Sequence, residues 1–258
     1  MTLTKNYHTH TYRCGHAVGT DSDFVEAAID FGITDLGFSD HVFLKGYDQP
    51  GMRGSYRQLD EYIASLENLR ELHKDKISIH IGFEAEALAE YYDYYRELLE
   101  GGHIEYLILG NHGGFVDGKF VYHRYEEGRK VVEQYTDTLV EGVKTGLFKY
   151  IAHPDHFLIG YHHWDAVSIE ATHRICMAAK EADIPLEINL AHFRSKQWDL
   201  DWIDYPYTKF WKIAKEYGCK AIAGIDAHNP LDFFTTNYDL LDEFLSRVGL
   251  EPDQNLDF

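Results

Sequence analysis

The chain has 258 residues, 45% hydrophobic and 15% aromatic, enough to bury the core of one large α/β barrel or of two small domains, and the distribution of motifs favours one barrel spanning 1–258 as a single domain. With 43 Asp and Glu against 24 Lys and Arg, a formal charge of -19 argues against a surface built for nucleic-acid phosphates or anionic lipid, so neither nucleic acid nor membrane is expected as a partner. That charge does not bar a small anionic substrate, because bound divalent cations would be the largest local charges in the site that held them.

Cys14, Cys176 and Cys219 are few and free of CxxC spacing, so neither a disulfide framework nor a thiolate zinc site is suggested, and a reducing cytoplasm is the expected compartment. No basic segment followed by an apolar stretch opens the chain, and no window approaches the roughly 18 apolar residues that a membrane span needs.

A short first strand ends at His8-Thr9-His10. Asp21 is expected to cap a helix whose Phe24, Ala27, Ala28 and Phe31 follow the i, i+3, i+4, i+7 spacing, with Gly32 as its stop. A strand over 35–41 precedes a helix carrying Leu59, Tyr62, Ile63, Leu66 and Leu69. A strand over 77–84 and a helix over 91–99 follow, and then Tyr106 to Gly110, short and apolar as a buried parallel strand is. A helix over 131–143, a strand over 150–152, a helix over 166–182 and a strand over 186–190 continue the alternation. Helix 210–217, strand 221–225 and a closing helix over 240–248 complete a count of seven βα units. The longest irregular stretches, 42–54, 111–125 and 191–205, all follow strands, where loops of that length tend to be functional.

Successive strands end in NYHTH, FSDH, GFE, LGNH, IAHPDH, EIN and GIDAH, each a potential source of metal ligands. The C-terminal ends of parallel barrel strands converge on one face, which brings His8, His10, His41, Glu84, His112, His153, Asp226 and His228 together. In a strand, residues i and i+2 share a face, so His8 with His10, and Asp226 with His228, can each reach one ion. Glu84 follows Ile-His-Ile-Gly-Phe, where an unpartnered carboxylate would be a costly desolvated charge, and a pair of cations bridged by it would satisfy it. His16 lies on the first loop and fits either a ligand or a solvent-exposed residue. The remaining histidines, including His192, fit no strand-end pattern and are read as structural or surface. Arg194 follows the sixth strand on the ligand-bearing side, where its guanidinium suits a fork contact with phosphate or carboxylate, or a salt bridge on the rim. Asp155 and His156, just beyond His153, stand where a side chain would orient a ligand, contact substrate or protonate a leaving alcohol.

Taken in order, His8-Thr9-His10, His16, Ser39-Asp40-His41, Gly82-Phe83-Glu84, His112, His153-Pro154-Asp155 and Asp226-Ala227-His228 strongly resemble the polymerase and histidinol phosphatase (PHP) family over almost the whole chain. Within it, the Cys-Gly-His-Ala stretch and Glu187-Ile188-Asn189 look most like the stand-alone histidinol-phosphate phosphatase branch. The resemblance implies a distorted seven-stranded (βα)7 TIM-like barrel, in agreement with the count of βα units above. It also implies three divalent ions: one held by His8, His10, Glu84 and Asp226, a second by the bridging Glu84 with His112 and His153, and a third by His16, His41 and His228. Zinc, manganese and iron all suit such mixed shells. Two departures stand out: Asn6 where the family commonly has Asp, and Gly-Asn before His112 where it commonly has Gly-Ser.

The expected chemistry is hydrolysis of a phosphomonoester in the line of histidine biosynthesis, with a small phosphorylated metabolite as partner and L-histidinol phosphate as the leading substrate. In it a hydroxide bridging two ions attacks phosphorus while a metal and Arg194 neutralise the phosphate oxygens. No GxSxG-like nucleophile motif is present, which favours direct attack by water. The competing readings are a phosphatase for a sugar phosphate or nucleotide-derived ester, a metal-dependent amidohydrolase, and a non-catalytic metal-stabilised domain.

Overall fold

Parallel strands buried on both faces need apolar side chains on both, and the Tyr106–Leu109 run meets that demand with every residue buried. The computed structural model describes residues 3–194 and 205–256. Seven parallel strands lie in the order β1 (Lys5–Asn6), β2 (Asp35–Phe38), β3 (Ser78–Ala85), β4 (Tyr106–Leu109), β7 (Tyr150–Ile151), β8 (Leu186–Asn189) and β9 (Ala221–Gly224). The barrel closes at a seam where His10 N–H donates to Ala227 O at 2.8 Å and Ala227 N–H to His8 O at 3.1 Å. Asn6 stitches the same seam, donating to Thr9 Oγ1 at 2.8 Å and His8 O at 3.1 Å while its Oδ1 accepts from Ile225 N–H at 2.8 Å. An aspartate there would lose both donations, which gives the departure at position 6 a structural reason.

Helices α1 (Asp21–Phe31), α2 (Leu59–His73), α3 (Tyr92–Glu100), α4 (Arg129–Lys144), α5 (Phe157–Gly160), α6 (Ala166–Ala182), α7 (Tyr207–Glu216), α8 (Asp232–Thr235) and α9 (Tyr238–Val248) occupy the crossovers and the end of the chain. Among the described residues no helix is long and apolar enough to cross a membrane. Cap and strand boundaries differ in instructive ways from the sequence reading. Thr20, not Asp21, caps α1, through a reciprocal box with Asp23, and the Asp21 carboxylate instead receives the Arg13 guanidinium. The second strand stops at Phe38, because Asp40 turns to take Thr11 N–H at 2.8 Å, and His41 rejoins the sheet by a single bridge to Glu84.

The stretch 111–125 is not irregular: it folds into an antiparallel hairpin of β5 (Gly113–Val116) and β6 (Lys119–Tyr122). The Asp117-Gly118 turn between Phe115-Val116 and Phe120-Val121-Tyr122 carried that signal in the sequence. Of the loop expected over 191–205, residues 195–204 lie outside the described residues. Asn111, from the second family departure, donates to Tyr135 O at 2.9 Å and so ties β4 to α4.

Inside the barrel, Tyr7, Tyr106, Ile108, Tyr150, Ala152 and Ile222 form a plug beneath the strand ends. The Tyr106 hydroxyl donates to Tyr7 O at 2.9 Å and Phe38 O at 3.0 Å. A ring of that size fits because β3 is bare at Gly82, where a Cβ would stand 2.5 Å from a Tyr106 ring carbon. Gly82→Ala should therefore destabilise the fold by about 1–3 kcal/mol through overpacking. Urea unfolding checks this, and an unchanged midpoint would show that the plug has room to spare.

Candidate metal centre

Four donor atoms converge at the mouth of the barrel. His8 Nε2 lies 3.1 Å from His10 Nε2, 3.5 Å from Glu84 Oε2 and 3.5 Å from Asp226 Oδ1, and His10 Nε2 lies 3.4 Å from each of those carboxylate oxygens. A tetrahedral ion with ligands at about 2.0–2.1 Å has donor-to-donor edges of about 3.3–3.4 Å. The separations observed fit that cage. Glu84 Oε2 and Asp226 Oδ1 are buried without a hydrogen-bond partner, an expensive state for carboxylate oxygens unless a cation supplies the partner.

Glu84 splits its two oxygens between neighbouring groups. Its Oε1 faces His153 Nε2 at 2.8 Å and His112 Nε2 at 3.3 Å. His41 Nδ1 sits 3.1 Å from Oε2. On the outer side, His16 Nε2 and His228 Nε2 lie 3.0 Å apart, and donor atoms of His10, His41 and His228 form one compact group. The structure thus brings all nine residues expected as ligands to one end of the barrel, with His41 placed between the Glu84 carboxylate and the His16 and His228 pair. Burial opposes charge on Glu84, yet His112, His41 and His8 hold its carboxyl well below the usual range. Asp226 is likewise held low against burial, by His8 and His228.

The surrounding groups fix the donors in place. His8 Nδ1 meets Glu187 Oε1 at 2.7 Å, which aims Nε2 at the cage. Glu187 Oε2 accepts from His153 N–H at 3.0 Å and from Asn189 Nδ2 at 3.1 Å, and Asn189 Nδ2 also donates to Asp226 Oδ2 at 3.0 Å. One carboxylate on β8 therefore holds His8 and His153 from two other strand ends directly, and Asp226 through Asn189. Glu86, gripped by both oxygens on Arg53 at 3.0 Å, lies 3.4 Å from His112 Nδ1. The backbone is strained at two donors, with φ of 31° at His153 and 53° at Asp226, a left-handed conformation that non-glycine residues hold where the surroundings impose it.

These donors open on a cavity of about 670 Å³ whose wall includes His156, His192, Arg124 and Arg194. A larger groove at the opposite end of the barrel, about 1350 Å³ and lined by residues such as Lys149, Pro185 and Leu250, contains none of the expected ligands. His156 is buried, its Nε2 without a hydrogen-bond partner, and burial, with His153 and His112 nearby, pushes its pKa well down. Asp155 Oδ2 accepts from the Trp211 indole N–H at 2.8 Å, and burial pushes its carboxyl up to about 6. Arg194 reaches the cavity but donates to the carbonyls of Ile225 and Asp226.

Sequence reasoning missed Glu187 as a participant, although a carboxylate inside an apolar strand is the signal that singled out Glu84. It also read His192 as structural or surface, and passed over Arg124, for which no strand-end pattern exists. Glu187→Ala should weaken metal binding about 10- to 100-fold by freeing the His8 ring. Competition against a chromogenic chelator measures this, and a loss below twofold would remove Glu187 from the metal centre.

The PHP domain model matches residues 6–191. A Deinococcus radiodurans protein named "Probable histidinol-phosphatase" is 32% identical over 238 residues, covering 89% of this chain and 88% of its own. Among solved structures, histidinol phosphate phosphatase from Lactococcus lactis subsp. lactis Il1403, complexed with zinc, L-histidinol and phosphate, aligns with a TM-score of 0.73 at 19% identity over 99% of this chain and 100% of that one. A chain of archaeal ribonuclease P bound to mature tRNA aligns with a TM-score of 0.53 at 13% identity, covering 90% of this chain and 80% of that one. The two structural likenesses establish the distorted seven-stranded barrel, and the family match, supported by the Deinococcus relative, establishes more: this chain belongs to the PHP domain family.

Proposed function

We propose that this chain is a metal-dependent phosphomonoester hydrolase that cleaves L-histidinol phosphate in the cytoplasm, with His8, His10, Glu84 and Asp226, then Glu84, His112 and His153, then His16, His41 and His228 as the ligand sets of three divalent ions, zinc, manganese or iron. The observation that carries this reading is the cage of donors 3.1–3.5 Å apart around Glu84, whose second oxygen turns to His112 and His153. The named substrate is supported by the Deinococcus relative and by the ligands of the Lactococcus structure. Three free, buried cysteines suit a reducing compartment.

Bound divalent cations supply Lewis acidity toward phosphate oxygens and lower the pKa of a coordinated water. The chain's own residues do the rest. Glu84 fixes the spacing of adjacent ligand sets, and Glu187 and Asn189 keep His8 and Asp226 in register. His156 presents Nε2 at the cavity wall as a hydrogen-bonding contact for the substrate. Asp155, through Trp211, holds the segment that carries both His153 and His156. In the overall reaction water forms a bond to phosphorus, the ester P–O bond breaks, and the departing alcohol takes up a proton.

Protein reconstituted with zinc or manganese should release phosphate from L-histidinol phosphate with kcat/KM above about 10⁴ M⁻¹s⁻¹, and far more slowly from sugar phosphates and a chromogenic ester. Chelation should abolish the activity and added metal restore it. Equal weak turnover of every ester would discard the named substrate. Amine release from amides with no phosphate from any ester would contradict phosphatase chemistry.

A further inference from the structure

Two arginines line the cavity, and they are not equivalent. Arg194 is fully engaged: its Nη groups donate to the carbonyls of Ile225 and Asp226, the latter at 2.9 Å, and its Nε lies 3.6 Å from the Asp232 carboxylate. Those bonds brace a residue whose φ is 53° and whose carboxylate belongs to the donor cage. A guanidinium spent in this way would have to abandon Asp226 to take up a phosphate.

Arg124, just beyond β6, is exposed at the cavity mouth with its guanidinium 5.3 Å over the Tyr125 ring, and among the described residues it pairs with no carboxylate. In a protein of charge -19, a cation beside the cavity that pairs with no carboxylate among the described residues is unusual. Burial pushes the pKa of both His156 and His192 down, and the charge of Arg124 acts on each in the same direction. His156 Nε2, buried and without a partner, faces the same space.

The backbone that carries Arg124 is well anchored. Preceding it, His123 is buried, with Nδ1 3.2 Å from Asn111 O and Nε2 2.5 Å from Gln134 Oε1. Tyr122 accepts from Gln49 Nε2 at 3.0 Å, tying the hairpin to the loop after β2. Arg124 is therefore a free fork on a fixed base, the arrangement suited to two-point contact with phosphate oxygens.

We propose that Arg124, together with His156, grips the substrate's phosphate, and that Arg194 is a positioning residue that holds Asp226 in its strained conformation. This inference rests on the phosphatase reading above and reassigns the anion contact expected of Arg194 in the sequence.

The test is calorimetric titration of inorganic phosphate into metal-saturated native protein, Arg124→Ala, Arg124→Lys and Arg194→Ala, with metal content of each measured separately. Arg124→Ala should weaken phosphate binding at least about tenfold with metal content unchanged, and Arg124→Lys should recover only part of the loss. Arg194→Ala should lower affinity for metal, and at metal saturation should bind phosphate within about threefold of native protein. Native phosphate affinity in Arg124→Ala, or a large loss in Arg194→Ala with its metal complement intact, would overturn the assignment while leaving the phosphatase reading in place. Failure of the native, metal-loaded protein to bind phosphate would overturn both.

Discussion

Burying a carboxylate deep in a protein is tolerable only where countercharge or hydrogen bonds meet it, and this barrel buries Glu84 and Glu187 at 1% and 0% exposure, with Asp226 close by. Most of what is distinctive at this end of the molecule answers that constraint. Histidines crowd around Glu84 from β1, β2, β4 and β7, Glu187 is satisfied by His8, a backbone amide and Asn189, and Arg194 braces Asp226 from behind. Two oxygens are nonetheless left without protein partners, one on Glu84 and one on Asp226, both facing the same cage. Side chains alone leave these oxygens unmet, the state that the proposed cations would relieve.

The fold was legible because parallel barrel strands and amphipathic helices write different periods, and the switch between them recurs seven times. Helix 166–182 coincides with α6, since Asp165 caps it and its apolar spacing is unbroken. Strand ends were harder, because the last residues of β2, β7 and β9 leave the sheet to present ligands, and a side chain recruited for chemistry no longer obeys pairing. The β5–β6 hairpin was read as loop, as its strands have only four residues each and do not alternate between apolar and polar side chains. Donor residues at strand ends could be picked out one by one. The roles of Glu187, Arg124 and Arg194 could not, because each depends on which groups from distant segments stand within 3 or 4 Å of it, a matter of tertiary packing.

The barrel by itself does not decide the activity. The same architecture aligns with a chain of ribonuclease P at 13% identity, a reminder that chemistry resides in sites carried by folds. In this chain the donor cage is roofed by walls from separate segments: the hairpin with Tyr122 and Arg124, the segment with His156, and the turn with His192 and Arg194. Under the proposed function, a cage beneath walls built from separate loops would let the metal chemistry stay constant while the walls choose the alcohol that leaves.

The central claim is that Glu84 joins two ligand sets, and the most direct test is the metal stoichiometry of Glu84→Ala by elemental analysis, beside the native protein and with circular dichroism to confirm the fold. The native chain should hold about three ions and the variant at most one, because a single oxygen pair serves both sets. A folded Glu84→Ala protein that retains the full native complement of metal would contradict that claim.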